Sequence, residues 1–220
     1  MSDVVPQQTT EPARPAQLGG RLREQRVERG LSLRELARRL EVSPSLVSQI
    51  ETGKVQPSVR TLYAMASELG ISLDDVFPTD AQSGRSEAGA RLVSSKPIVE
   101  AAPDDGGGIV QRASSRKVVE LETGVRWERL TTRNDREVEF LHTVYPPGSE
   151  SSPADALVRH NGREFGTVLS GRLNVTVGFE DHVLEPGDSI FFPSTVPHRL
   201  HNDGDEVVTA IWIVLGRQGD

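Results

Sequence analysis

Reactive chemistry in this chain rests on imidazole, carboxylate, guanidinium, ammonium, amide and hydroxyl groups, because none of its 220 residues is cysteine. That absence excludes disulfides, thiolate metal sites and cysteine nucleophiles together. The five histidines all fall in the C-terminal half, at 142, 160, 182, 198 and 201. The basic side chains are distributed differently. The net charge of -7 looks unsuited to a polyanionic partner, yet residues 18–60 carry nine basic and five acidic side chains, and the acidic excess lies beyond residue 77. Phosphates respond to the local face and not to the overall sum, so the N-terminal region is the candidate for phosphate contact.

Two kinds of periodicity must position these groups. Residues 18–77 read as short helices with helical punctuation. Leu22, Arg26 and Arg29 share a segment that ends at Gly30, a favoured residue just past a helix. Ser32 and Glu35 form a capping box ahead of the stripe Leu33, Leu36, Ala37 and Leu40. Ser43 caps the next helix, Pro44 takes its first position and Gly53 stops it. Ser58 opens a fourth helix with Leu62, Met65, Ala66 and Leu69 inward, and a last short turn is cut by Pro78. Residues 79–108 are polar and rich in Gly, Ser, Ala and Asp, the composition of a linker. Beyond them the period becomes that of strands, at 118–121, 127–130, 138–145, 165–169, 173–177, 189–192 and 207–214, with turn signals between. Many short strands at this spacing mean a sandwich or barrel. The expected organisation is multidomain α + β: a tail over 1–17, an all-α five-helix head over 18–78, a linker over 79–108 and an all-β domain over 109–217.

The run from Leu31 to Lys54, Leu-Ser-Leu-Arg-Glu-Leu-Ala-Arg-Arg-Leu-Glu-Val-Ser-Pro-Ser-Leu-Val-Ser-Gln-Ile-Glu-Thr-Gly-Lys, resembles the Cro and phage-repressor type of helix-turn-helix, the XRE family. One departure is Glu41, where the family often has glycine in the tight turn. A left-handed residue there costs roughly 1 kcal/mol. The resemblance implies that 43–52 is a recognition helix in the major groove, with Val47 and Ile50 toward the head's core. Ser43, Ser45, Ser48 and Gln49 are then the candidates at the DNA, Gln49 being able to pair bidentately with adenine. Arg34, Arg38, Lys54 and Arg60 are the implied phosphate contacts. The plainer alternative is a solvated surface on a helical bundle.

The C-terminal part resembles the cupin family, a double-stranded β-helix barrel, in Tyr145-Pro-Pro-Gly and two later blocks. The first is His160-Asn-Gly-Arg-Glu164. The second runs from Gly187-Asp-Ser-Ile-Phe-Phe-Pro to Ser-Thr-Val-Pro-His198. Cupins hold a divalent metal with three histidines and a glutamate, and the resemblance assigns His160, Glu164 and His198 to three of those places, while Val158 stands at the fourth. Two histidines and a carboxylate still make a facial triad, with open positions on Fe, or Zn, Mn or Ni in its place. Alternation along the strands points all three into the lumen. The same residues also read as a hydrogen-bonded remnant lining a metal-free effector pocket. Trp127, Tyr145, Phe192 and Trp212 are candidates to line that pocket with the triad, although strand aromatics often simply fill a core.

A repressor-like head joined to a cupin resembles bacterial one-component regulators. That implies a cytoplasmic homodimer that binds a double-stranded operator, takes a small-molecule effector in the barrel and has no catalytic residues. No apolar run is long enough to cross a bilayer, so no membrane partner is expected. Two rivals are an iron enzyme resembling hydroxypropylphosphonate epoxidase and a metal-binding structural or storage module with a vestigial head. The epoxidases bring a lysine from the helical domain to the active site, whereas residues 18–30 offer arginines and no lysine.

Overall fold

The structure is a computed structural model of the chain, and it describes residues 15–77, 108–135 and 137–216. Of the expected tail and linker, residues 1–14 and 79–107 lie outside the described residues.

The helical domain is built from α1 (Pro15–Glu28), α2 (Leu33–Arg39), α3 (Pro44–Glu51) and α4 (Val59–Glu68), followed by a 3₁₀ turn at Leu73–Val76. The expected fifth helix is therefore one tight turn, since only a few residues separate Gly70 from Pro78. The three serine caps are as read from the sequence, but the Glu35 half of the expected capping box is not: its carboxylate binds Arg38 and Arg39 instead. The hydroxyls of Ser32, Ser43 and Ser58 each accept from the backbone N–H three residues on, at 3.1 Å in every case. Glu41 has φ of 55°, so the turn between α2 and α3 does hold a left-handed non-glycine residue. Leu22, Leu36, Val47, Leu62, Met65 and Leu69 are fully buried at 0% exposure. Each such side chain contributes on the order of 1.5–3 kcal/mol.

Two features fix α1 against α3. A Cβ on Gly19 would lie 2.1 Å from the Ile50 carbonyl oxygen, so only glycine allows this approach. Arg26 reaches across with a two-pronged pair to Glu51, Nε to Oε1 at 2.6 Å and Nη2 to Oε2 at 2.8 Å, and also donates to the Leu31 carbonyl at 2.7 Å.

Among the described residues the β domain has nine antiparallel strands in two sheets. One has the order β1 (Val118–Glu120), β2 (Arg126–Arg129), β3 (Val138–Tyr145), β9 (Val208–Leu215), β4 (Arg163–Ser170) and β7 (Ser189–Pro193). The other has β6 (Glu180–Leu184), β5 (Leu173–Val177) and β8 (His198–His201). Strict alternation of buried and half-buried residues along β9 turns Ala210, Trp212 and Val214 inward. The seven expected strands are all present. β6 and β8 are additional: the first begins Glu180-Asp181 and the second is only four residues between turns, so neither shows a β-branched apolar run.

The two domains touch directly. The Glu122 N–H donates to the Pro57 carbonyl at 3.1 Å, and the Arg60 N–H donates to the Ser151 carbonyl at 3.3 Å. The Asn134 amide donates to Asp75 at 3.2 Å, and the Arg129 guanidinium lies 5.7 Å from the Phe77 ring centre.

Candidate functional site

On the helical domain, α3 buries Val47 and Ile50 and leaves Ser45 and Gln49 exposed, with Ser48 half-buried. That division follows from the helical period, since residues three apart share the buried side. Ser43 spends its hydroxyl on the Leu46 N–H, so its first role is to cap the helix. Arg34, Arg38 and Lys54 are exposed on neighbouring segments. Arg38 and Arg39 both bind Glu35, at 2.8 Å and 3.0 Å, and their hydrogen bonds hold the Glu35 carboxyl down to about 2. Arg60 is also exposed, but it starts from the end of α4 whose backbone meets the barrel.

In the barrel, β4 carries Glu164 inward and β8 opens with His198, while His160 comes from the segment just before β4. Their ligating atoms all lie within 4.8 Å of one another. His160 Nε2 is 2.9 Å and His198 Nε2 is 3.0 Å from the same Glu164 oxygen, Oε1. The other ring nitrogens face carbonyls, His160 Nδ1 at 2.8 Å from Asn161 and His198 Nδ1 at 2.9 Å from Val196. A carbonyl only accepts, so Nδ1 carries the proton in both rings and both Nε2 lone pairs converge on a carboxylate. Close as they are, neither His160 Nε2 nor Glu164 Oε1 has a partner in hydrogen-bonding geometry. Three electron-rich atoms facing one another in a buried site call for a cation, either a proton or a metal ion, and the donor set fits a divalent metal.

The surroundings hold this set in place. Trp212 Nε1 donates to Glu164 Oε2 at 2.6 Å, leaving Oε1 for the histidines. The Trp212 ring lies across Gly166, its cross-strand partner, where a Cβ would come within 2.0 Å of the indole. Burial opposes the Glu164 charge, but the facing His160 and His198 rings outweigh it and hold its carboxyl well below the usual range. Burial likewise works against a charged His198, and its contacts with Glu164 and the Val196 carbonyl outweigh that and raise it. Tyr145 is pushed upward, by burial first and then by the Glu164 charge.

Val158 is buried on the pocket wall at the place of a fourth cupin ligand, and its backbone exchanges two hydrogen bonds with His198, at 2.9 and 2.8 Å. Trp127, Tyr145, Glu164, His198 and Trp212 line one cavity. Phe192 stands behind it, its ring centre 5.0 Å from that of His198 and 6.5 Å from that of Trp212. Two wall residues, Val59 and Tyr63, come from α4 and were not expected from the sequence. The available signal was that both lie off the stripe of Leu62, Met65 and Leu69, four residues apart on a second face.

Two family models match the chain, a helix-turn-helix over residues 22–76 and a cupin domain over residues 141–214. The chain carries an XRE-type helix-turn-helix domain and a cupin domain. Both domains together are similar to the HTH-type transcriptional regulator PuuR of Escherichia coli (strain K12), with 28% identity over 84% of this chain and 86% of that protein. Over 32% of its length the chain is also similar to the HTH-type transcriptional regulator DdrOP3 of Deinococcus deserti, with 40% identity over 54% of that protein. An HTH_3 family transcriptional regulator from Vibrio cholerae has a similar fold, with a TM-score of 0.57 and 24% identity over 92% of this chain and 97% of that one. No helix among the described residues is long and apolar enough to cross a membrane.

Proposed function

We propose that this protein is a transcriptional regulator and not an enzyme: the helix-turn-helix domain binds an operator, and the cupin barrel takes a small-molecule effector that modulates that binding. The observation that carries the reading is α3, whose Ser45 and Gln49 point outward while Val47 and Ile50 hold it in the core. That is the geometry a helix needs to enter the major groove. The likeness to PuuR across both domains supports it.

In this reading Ser45, Ser48 and Gln49 meet base edges, and Arg34, Arg38, Lys54 and Arg60 neutralise phosphates. Ser43 sets the start of the helix. His160, Glu164 and His198 hold one divalent ion, which when bound supplies open positions for an oxygen or nitrogen donor of the effector. Trp212 orients Glu164 for that task. The working form is a cytoplasmic homodimer, because one head of this size covers too few base pairs for useful specificity. A row of outward apolar residues on four adjacent strands, Phe191, Phe165, Ile213 and Phe140, supports a second copy as its partner. Phe165 and Phe191 already pack together with ring centres 4.9 Å apart and planes tilted by 33°. The domains, 18–78 and 109–217, are joined by a linker over 79–108, and limited proteolysis is expected to cut first between Gln82 and Asp105.

The test is footprinting of the full chain on the DNA upstream of its own gene, with metal analysis of the same sample. Protection of a near-palindromic site with half-sites about one helical turn apart is expected. Uniform protection at every sequence overturns the reading.

A further inference from the structure

We propose that Tyr63 is the stopper of the effector pocket: a ligand enters by taking the place of its ring over His160, so pocket occupancy and docking of the helical domain on the barrel exclude each other. The proposal rests on the regulatory reading above and names the device by which the barrel reaches the head.

Tyr63 belongs to the DNA-binding domain but is packed in the barrel's mouth. Its ring lies on His160 with centres 4.2 Å apart and planes within 5°, and meets Trp127 edge-on at 5.7 Å. One turn earlier Val59 adds to the same wall, and the Arg60 N–H bonds to the Ser151 carbonyl beside it. With these side chains in place the cavity over Glu164 and His198 measures about 20 Å³. That is room for about one water molecule or an ion, and not for a metabolite. Any larger ligand must displace something, and the β strands are tied into two sheets. The movable wall is α4, whose links to the barrel are few.

The slot that Tyr63 leaves is flat, bounded by the face of His160 and the edge-on contact with Trp127. It fits a planar ring or conjugated group of about phenol size, with a donor atom reaching toward His198 and Glu164. In the docked state the outward face of α3 stays exposed, so docking holds the reading head in a fixed place without covering it. Occupancy of the slot releases the head and lowers operator affinity, by the rule that a ligand favours the state it binds better.

The chain is suited to the test, since Trp127 and Trp212 are its only two tryptophans, both line the pocket, and it has no cysteine. In the full-length protein, acrylamide quenching of tryptophan fluorescence reports access to the pocket. Nitroxide labels at Val27→Cys and Phe179→Cys, both exposed positions, report head-to-barrel distance. With the doubly labelled chain diluted into excess unlabelled protein, so that a dimer carries one spin pair, wild type should give weak quenching and one narrow distance. Tyr63→Ala should increase quenching several-fold and broaden the distances. His160→Ala removes the same stack from the barrel side and should broaden the distances even if Tyr63→Ala fails to fold. In Tyr63→Ala, p-cresol should saturably restore shielding while the distances stay broad. A folded Tyr63→Ala with unchanged quenching and distances, or no shielding by p-cresol, overturns the stopper. If the optical and distance results hold while operator binding is indifferent to Tyr63→Ala, the stopper stands and the regulatory reading fails.

Discussion

Tyr63 of the helical domain lies flat on His160 of the barrel, with ring centres 4.2 Å apart. His160 in turn faces Glu164, so a single contact connects the DNA-binding half of the chain to the polar floor of the pocket. Stacked aromatic pairs contribute roughly 0.5–1.5 kcal/mol beyond their buried area. A link of that size is strong enough to bias the position of a domain and weak enough for a small ligand to break.

Trp212 holds Glu164 through the 2.6 Å bond from its indole N–H. Trp212→Phe keeps an aromatic ring, though a smaller one, and loses the donor. Partners that orient a metal ligand are worth about 10–100-fold in metal affinity, and a loss in that range is expected for Co²⁺ or Ni²⁺ followed by isothermal titration. Unchanged affinity would show that Glu164 is positioned by the strand alone.

Metal affinity should also fall with pH, and earlier than free histidine implies. Burial works to lower His198, but its contacts with Glu164 and the Val196 carbonyl together outweigh that and raise it from its usual 6.5, so protons begin to compete with a metal above that value. Without metal the sign reverses. The protonated His198 contributes stability that is fully present below about 6.5 and is lost as pH rises through its higher folded value. Thermal melts of the metal-free protein between pH 5.5 and 8, beside Co²⁺ titrations over the same range, measure both slopes. A metal affinity that stays level from pH 8 down to 6.5 would contradict the assignment of His198.

The pair of Arg26 and Glu51 is buried, with both side chains at or below 10% exposure. Removing either partner leaves the other charge uncompensated inside the head. Arg26→Ala or Glu51→Ala should each cost about 3–5 kcal/mol, read from urea unfolding of the helical domain by circular dichroism. A loss under 1 kcal/mol would mean that water reaches the remaining charge.

Much of this architecture was legible because it depends on local chemistry. Three serine caps, the proline start of α3 and the left-handed Glu41 are each set within a few residues, and the blocks around His160, Glu164 and His198 carry the pocket in their spacing. The unread parts depend on long-range packing. Tyr63 meets His160 only once the two domains are side by side; the sequence around it marks a second face on α4 with Val59 but not what covers that face. Gly19 and Gly166 look like ordinary glycines until the Ile50 carbonyl and the Trp212 ring are placed against them. Arg26 and Glu51 read as surface charges until α1 crosses α3. β6 and β8 escaped notice because acidic and histidine residues interrupt the usual strand signal, while pairing with β5 supplies their order.

The central claim is that α3 reads sequence, and fluorescence anisotropy on a protected operator fragment and its scrambled version tests it most directly. Wild type should prefer the operator. Gln49→Ala should lose about 1–3 kcal/mol on the operator, with no comparable loss on the scrambled duplex, and should relax preference at one base position per half-site. Equal affinity of the unmutated protein for the two duplexes would contradict the account.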